Sequence, residues 1–156
     1  MKTILVSVAT LLTILNSTST LAAVAVGDMA LYNLTISNGQ MSRTVDQKSE
    51  VVAINATAGT FTQKLTISYN GTVVSSQDSE VNLNSATSIE TTIDNCKTLE
   101  TITVKAGTFQ ACHINTTVSG SQSDLYFAKV PFGIVKSIST TSGFNTTYEL
   151  VAYTKK

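Results

Sequence analysis

Two Asn-Gly pairs, Asn38-Gly39 and Asn70-Gly71, each separate runs rich in Thr, Val, Ile, Leu and Tyr. Asn and Gly tolerate the positive φ angles of a tight hairpin turn, so the flanking runs are expected to pair as antiparallel strands. Before the first pair, Ala30, Tyr32, Leu34 and Ile36 alternate with Leu31, Asn33 and Thr35. After it, a strand starts near Met41 and continues, with a bend, to Ile54, where Asn55 to Gly59 reads as a turn. Phe61 to Tyr69 and Thr72 to Ser76 flank the second pair.

The pattern returns after Leu99. It predicts strands over Thr101 to Lys105, Thr108 to Val118, Asp124 to Val130, Ile134 to Thr140 and Phe144 to Thr154. Turns fall at Ala106-Gly107, Ser119-Gly120 and Ser142-Gly143, and Pro131 stops its strand because it has no N–H for a ladder. In the last strand Phe144, Tyr148, Leu150 and Ala152 share one face and Asn145, Thr147, Glu149 and Tyr153 the other, which predicts one wet face. Only Gln77 to Asn95 reads ambiguously, as a loop or as one short helix built on Val81, Leu83, Ile89 and Ile93. The fold class is therefore mainly β. A strand meander with at most one short helix closes as a sandwich, a barrel or a strongly curved antiparallel sheet.

A length of 156 residues holds one modest domain. Ten Lys and Arg balance ten Asp and Glu, so no net field gathers phosphate backbones, and nucleic acid is not an expected partner. Lys2, the apolar stretch Thr3 to Leu15 and the small or polar residues Asn16 to Ala25 form the three parts of a secretory leader. The expected organisation is a signal peptide over 1–25, cut between 22 and 25, followed by one β-rich domain over 26–156. The apolar stretch is shorter than the roughly 20 residues that span a bilayer, and no later run reaches that length. No transmembrane anchor is expected in the mature chain, and the expected location is periplasmic or secreted.

Export makes a disulfide the natural state of paired thiols, and Cys96 and Cys112 are the two available. Two Cys and one His cannot complete a four-ligand zinc site without carboxylates, and no CxxC spacing occurs. The pairing conflicts with the simplest hairpin. With the turn at Ala106-Gly107, Cys112 lies near Thr101, and an extended chain puts Cys96 roughly 16 Å further along, past the ~7 Å reach of a bridge. Both expectations hold only if Lys97 to Glu100 curl back.

The C-terminal half carries V-K-A-G-T-F at 104–109, L-Y-F-A at 125–128, G-I-V-K at 133–136 and Y-E-L-V at 148–151. This arrangement, over about residues 96–153, resembles the TapB-like bacterial exported proteins and neighbouring periplasmic domains of unknown function. The segment Val130-Pro131-Phe132-Gly133 departs from the glycine-rich approach found before the G-I-V-K motif in that group. The resemblance implies a periplasmic or surface protein with a curved half-barrel sheet like that of lipoprotein-carrier folds. It brings no catalytic residue set.

Chemistry is sparse. His113 is the single imidazole, and no G-x-S-x-G or similar nucleophile motif accompanies it. Cys112 beside it points to the opposite side of a strand, so the two cannot meet as a catalytic pair. Glu90, Asp94, Glu100, Asp124 and Glu149 read as solvated charges, and neither a calcium loop nor a phosphate-binding glycine loop occurs. No cofactor, metal or enzymatic activity is expected, and a hydrolase using His113 or Asp124 ranks last. Six aromatics, Tyr32, Phe61, Phe109, Tyr126, Phe132 and Tyr148, would line an apolar cleft if they shared the concave face. The expected function is an exported, non-enzymatic binding or envelope-associated module, whose partner is a lipid or other apolar ligand, or an envelope protein. The alternative is an adhesin or pilus-like subunit that pairs strand edges with its neighbours.

Overall fold

The computed structural model of the chain describes residues 24–83, 93–118, 121–141 and 143–156. Nine strands follow one another: β1 (Met29–Ser37), β2 (Ser42–Asn55), β3 (Thr60–Tyr69), β4 (Thr72–Asn82), β5 (Leu99–Val104), β6 (Gly107–Val118), β7 (Ser121–Phe127), β8 (Ile134–Thr141) and β9 (Phe144–Thr154). All nine form one antiparallel sheet in the order β4-β3-β2-β1-β9-β8-β7-β6-β5. The fold class expected from the sequence is the one found, an open curved sheet. Successive strands are neighbours except at one place, the step from β4 to β5. The first and last strands lie side by side at the centre, and β4 and β5 form the two edges.

The turn chemistry accounts for the hairpins. Asn70 and Gly71 both adopt left-handed backbone angles, φ 49° and 76°, as a two-residue turn between right-twisted strands requires. At the β1–β2 turn the Asn38 side chain accepts hydrogen bonds from the amides of Gln40 and Met41, replacing ladder bonds that end there. The bend foreseen in the second strand is a register shift between Val51 and Ala53 against β3.

Three expectations need correction. Gln77 to Asn82 are the end of strand β4, paired with β3, and not loop or helix; residues 84–92 of that ambiguous segment lie outside the described residues, as do most of the leader and the turns at 119–120 and 142. Among the described residues, helical backbone occurs only at Ile93 and Asp94. The strand before Pro131 ends at Phe127. Residues 128–133 instead form nested turns, with the Ala128 amide donating to the Gly133 carbonyl and the Gly133 amide to the Val130 carbonyl, and Phe132 held at φ 61°. Finally, the β5–β6 turn is Lys105-Ala106, with Gly107 already in β6, so Cys112 pairs with Leu99 and not with Thr101.

That register removes the conflict over the cysteines. Cys96 lies three residues before Leu99, in a segment that has left the strand and turned back, with the Cys96 amide donating to the Ile93 carbonyl. Its Cα is 5.9 Å from that of Cys112, and the two form a disulfide. The tip of the same hairpin reaches β9, where the Ala106 amide donates to the Leu150 carbonyl and the Lys105 amide to the Glu149 carboxylate. The limb β5–β9 is thus curled until its far hairpin meets the central strand.

Most of the core lies on one face of the sheet, called here the inner face; Val104 and Ala111, buried in the same cluster, share the strand parity of His113. The inner face gathers Ala30, Tyr32 and Leu34 of β1, Val51 of β2, Phe61 of β3 and Tyr148 and Leu150 of β9. Ile93 and the turn residues Ala128, Val130 and Phe132 join the same cluster. Alternation places these residues on one side of each strand. No helix among the described residues is long and apolar enough to cross a membrane.

Candidate binding face

The centre of the inner face is built by register. Tyr32 pairs with Gln47 on one side and Leu150 on the other, and Leu34 pairs with Tyr148. Tyr32 and Tyr148 thereby become diagonal neighbours, and their rings stack with centroids 4.2 Å apart and planes 17° apart. Burial pushes the phenol of Tyr32 far above its usual range, and burial together with the neighbouring Tyr32 does the same to Tyr148. Both phenols stay neutral at any physiological pH.

The inner face is not uniformly apolar. Ala30 pairs with Ser49, which pairs with Leu65; Val51 pairs with Gln63, which pairs with Ser79. Gln47, Ser49, Gln63, Ser137 and Ser139 are all buried among the described residues. Gln47 Nε2 donates to the Tyr148 hydroxyl at 2.7 Å, Gln63 Nε2 donates to Ser49 Oγ at 3.2 Å, and Ser123 Oγ to Ser139 Oγ at 3.0 Å. Buried amides and hydroxyls satisfied by one another are the usual condition for polar groups in a core.

The six aromatics expected to line one cleft divide. Tyr32, Phe61, Phe132 and Tyr148 are 1–8 % exposed and belong to the inner cluster. Phe109 is half-buried, with its ring tilted against Tyr153 at 6.0 Å. Tyr126 is half-buried and packs against the cluster from the other strand face: it pairs with His113 across β6–β7, and the two rings stack at 4.4 Å, almost parallel. Strand parity thus puts Tyr126 on the face opposite Leu125 and Phe127, apart from Tyr32 and Tyr148. The polar members Gln47, Ser49 and Gln63 were missed by hydropathy alone. Counting two and four residues back from Val51 along β2, and two on from Phe61 along β3, would have found them.

His113 and Cys112 point to opposite faces as alternation demands, Cys112 into the disulfide and His113 outward. The outer face carries Asp46, Asn33, Glu149, Lys136, Tyr126 and His113 in one row across five adjacent strand pairs. His113 Nε2 lies 2.8 Å from Asp124 and Nδ1 3.3 Å from Glu100, so the imidazole links β5, β6 and β7. The hydrogen bond to Asp124 raises the His113 pKa, and Glu100 adds to it. Asp124 is held below its usual range by hydrogen bonds from Asn115 and then His113. Glu90 lies outside the described residues, Asp94 pairs with Lys129 at 2.8 Å, and the carboxylates assemble no group of three metal-ligating side chains among the described residues.

The chain is similar to a solved structure from Bacteroides fragilis NCTC 9343, a protein held to be exported and described as having a YmcC-like fold; the TM-score is 0.55 and the identity 10 %, over 84 % of this chain and 97 % of that one. The likeness is one of fold. It covers nearly the whole of the other chain and is not a local coincidence. No family model and no curated protein matches the sequence.

Proposed function

We propose that the protein is an exported, non-enzymatic binding module that holds an apolar or amphiphilic molecule, such as a lipid, on the inner face of its curved sheet. One observation carries this reading: all nine strands belong to a single sheet, so the aromatic row of the inner face has no second sheet opposite it among the described residues. A sheet with one apolar face must bury that face against something, and a curved single sheet offers it to a ligand as readily as to its own loops. The face is closed in this structure, so a ligand gains access by displacing packed segments such as the turn 128–133. The fold likeness to a protein held to be exported, the leader-like N-terminus, the disulfide and the resemblance to TapB-like exported proteins support a location in the periplasm or outside the cell.

Native mass spectrometry of the purified protein, after incubation with a bacterial membrane lipid extract, tests the reading. A bound species of lipid mass is expected. A bare protein mass under gentle conditions overturns it.

A second reading, strand pairing with an envelope protein or with further copies, is favoured by one feature. Strand β4 is an edge of eleven residues, exposed along most of its length, with Val73 and Val74 58 % and 60 % exposed. Sedimentation velocity over a wide concentration range decides it: a ladder of oligomers supports pairing, and a monomer throughout removes self-pairing.

A further inference from the structure

The inner face holds a polar centre whose hydrogen bonding is incomplete, and that incompleteness has a chemical complement. Gln47 is 3 % exposed, and its Nε2 is committed to the Tyr148 hydroxyl, but its buried Oε1 has no donor among the described residues. A buried amide oxygen left unpaired is costly, and such groups in native proteins mark a bound water, a ligand or strain. The Tyr148 oxygen accepts the bond from Gln47 and keeps its own proton to donate. An acceptor and a donor therefore sit side by side among stacked aromatic rings.

We propose that the inner face takes a neutral amphiphile whose polar end is a hydroxyl, seated so that it donates to Gln47 Oε1 and accepts from the Tyr148 hydroxyl. The proposal rests on the reading that this face binds an apolar molecule and names the polar end of that molecule. A hydroxyl is the smallest group that both donates and accepts, and it satisfies the pair whichever way the Gln47 amide is turned. A carboxylate or phosphate does not fit. Among the described residues the buried polar and charged side chains are Asp28, Gln47, Ser49, Gln63, Ser137 and Ser139, with no cation among them, and an anion taken out of water there would lack a counter-charge. Neutrality of the site is reinforced by Tyr148, whose burial opposes ionisation.

The test is displacement of the fluorescent probe N-phenyl-1-naphthylamine from the purified, oxidised protein by three ligands of one chain length: dodecan-1-ol, 1-fluorododecane and dodecanoate. The fluoroalkane matches the alcohol in shape but has no O–H. The alcohol is expected to bind about tenfold more tightly than either comparator, the factor that one well-placed neutral hydrogen bond supplies. In Gln47→Leu the advantage of the alcohol over the fluoroalkane should shrink to about twofold or less. Tyr148→Phe keeps the stacked ring, should lose the same advantage, and serves if Gln47→Leu fails to fold. Equal binding of alcohol and fluoroalkane by the wild type, as when Gln47 Oε1 meets only a water, overturns the hydroxyl assignment and leaves the apolar face standing. Preference for dodecanoate overturns it too. Displacement by none of the three overturns both.

Discussion

Single side chains fasten this sheet where its strands cannot. Asp28, just before β1, is fully buried; its carboxylate accepts the amide of Ala25 at 2.9 Å and the amide of Lys156 at 2.8 Å, joining the start of the domain to its last residue. Asp28→Ala strands both donors and is expected to cost about 1–3 kcal/mol, seen as a lower urea midpoint at unchanged slope. Asp28→Asn keeps one acceptor and should cost less; equal stability of all three proteins would contradict the clamp. His113 makes a pH-dependent contribution whose sign follows from its raised pKa. The stability it contributes is fully present below its unfolded value near 6.5 and is lost as the pH rises through the higher folded value. Asp124 acts in the opposite sense: with its pKa depressed below 3.8, its contribution is present above that value and lost as the pH falls through the folded one. Urea unfolding of wild type and His113→Gln should therefore differ more at pH 5.5 than at pH 8.5. A difference that grows with pH would show that the imidazole is not held by the two carboxylates.

At the scale of elements, the hairpins declare themselves locally and the closures do not. The turns at Asn38-Gly39 and Asn70-Gly71, and the strands they join, were legible because φ preference and alternation act within a few residues. Local propensity ends strand β4 at Ser76, because Asp78 and Glu80 disfavour strands; Gln77 to Glu80 are extended because each pairs with a residue of β3. The β5–β6 turn falls one residue before the expected Ala106-Gly107, because glycine can serve either within a turn or as the first strand residue after it, and Gly107, at φ 137°, does the latter. The register that results places Cys96 and Cys112 in reach of each other, closing a loop of sequence separation 16. A Cys96→Ala, Cys112→Ala double variant is expected to lose ~3 kcal/mol, the loop-closure entropy of such a length. Thermal unfolding with and without reductant measures it. A midpoint unchanged by reduction would mean that the hairpin, and not the bridge, sets the turn at 93–98.

For the molecule as a whole, the pairing of β1 with β9 decides the architecture, and nothing local announces it. Residues more than a hundred positions apart meet there, so the meander becomes two limbs that share a central pair. The same juxtaposition makes the candidate site, since it brings Tyr148 against Tyr32 and within reach of Gln47. The sequence could supply the aromatic members of that site by composition. Composition alone supplies neither the polar members nor the outer-face position of Tyr126; strand alternation counted from Val51, Phe61 and Leu125 does. Two faces with different chemistry follow: an inner one of stacked aromatics and buried amides, and an outer one of ionic and imidazole groups. The measurement that separates them most directly is an NMR titration of the labelled protein with dodecan-1-ol. The resonances of the Gln47 side-chain amide and of the Tyr32 and Tyr148 rings should move while the His113 ring stays in place. Movement of His113 and its outer-face neighbours alone, or of no resonance at all, would contradict binding on the inner face.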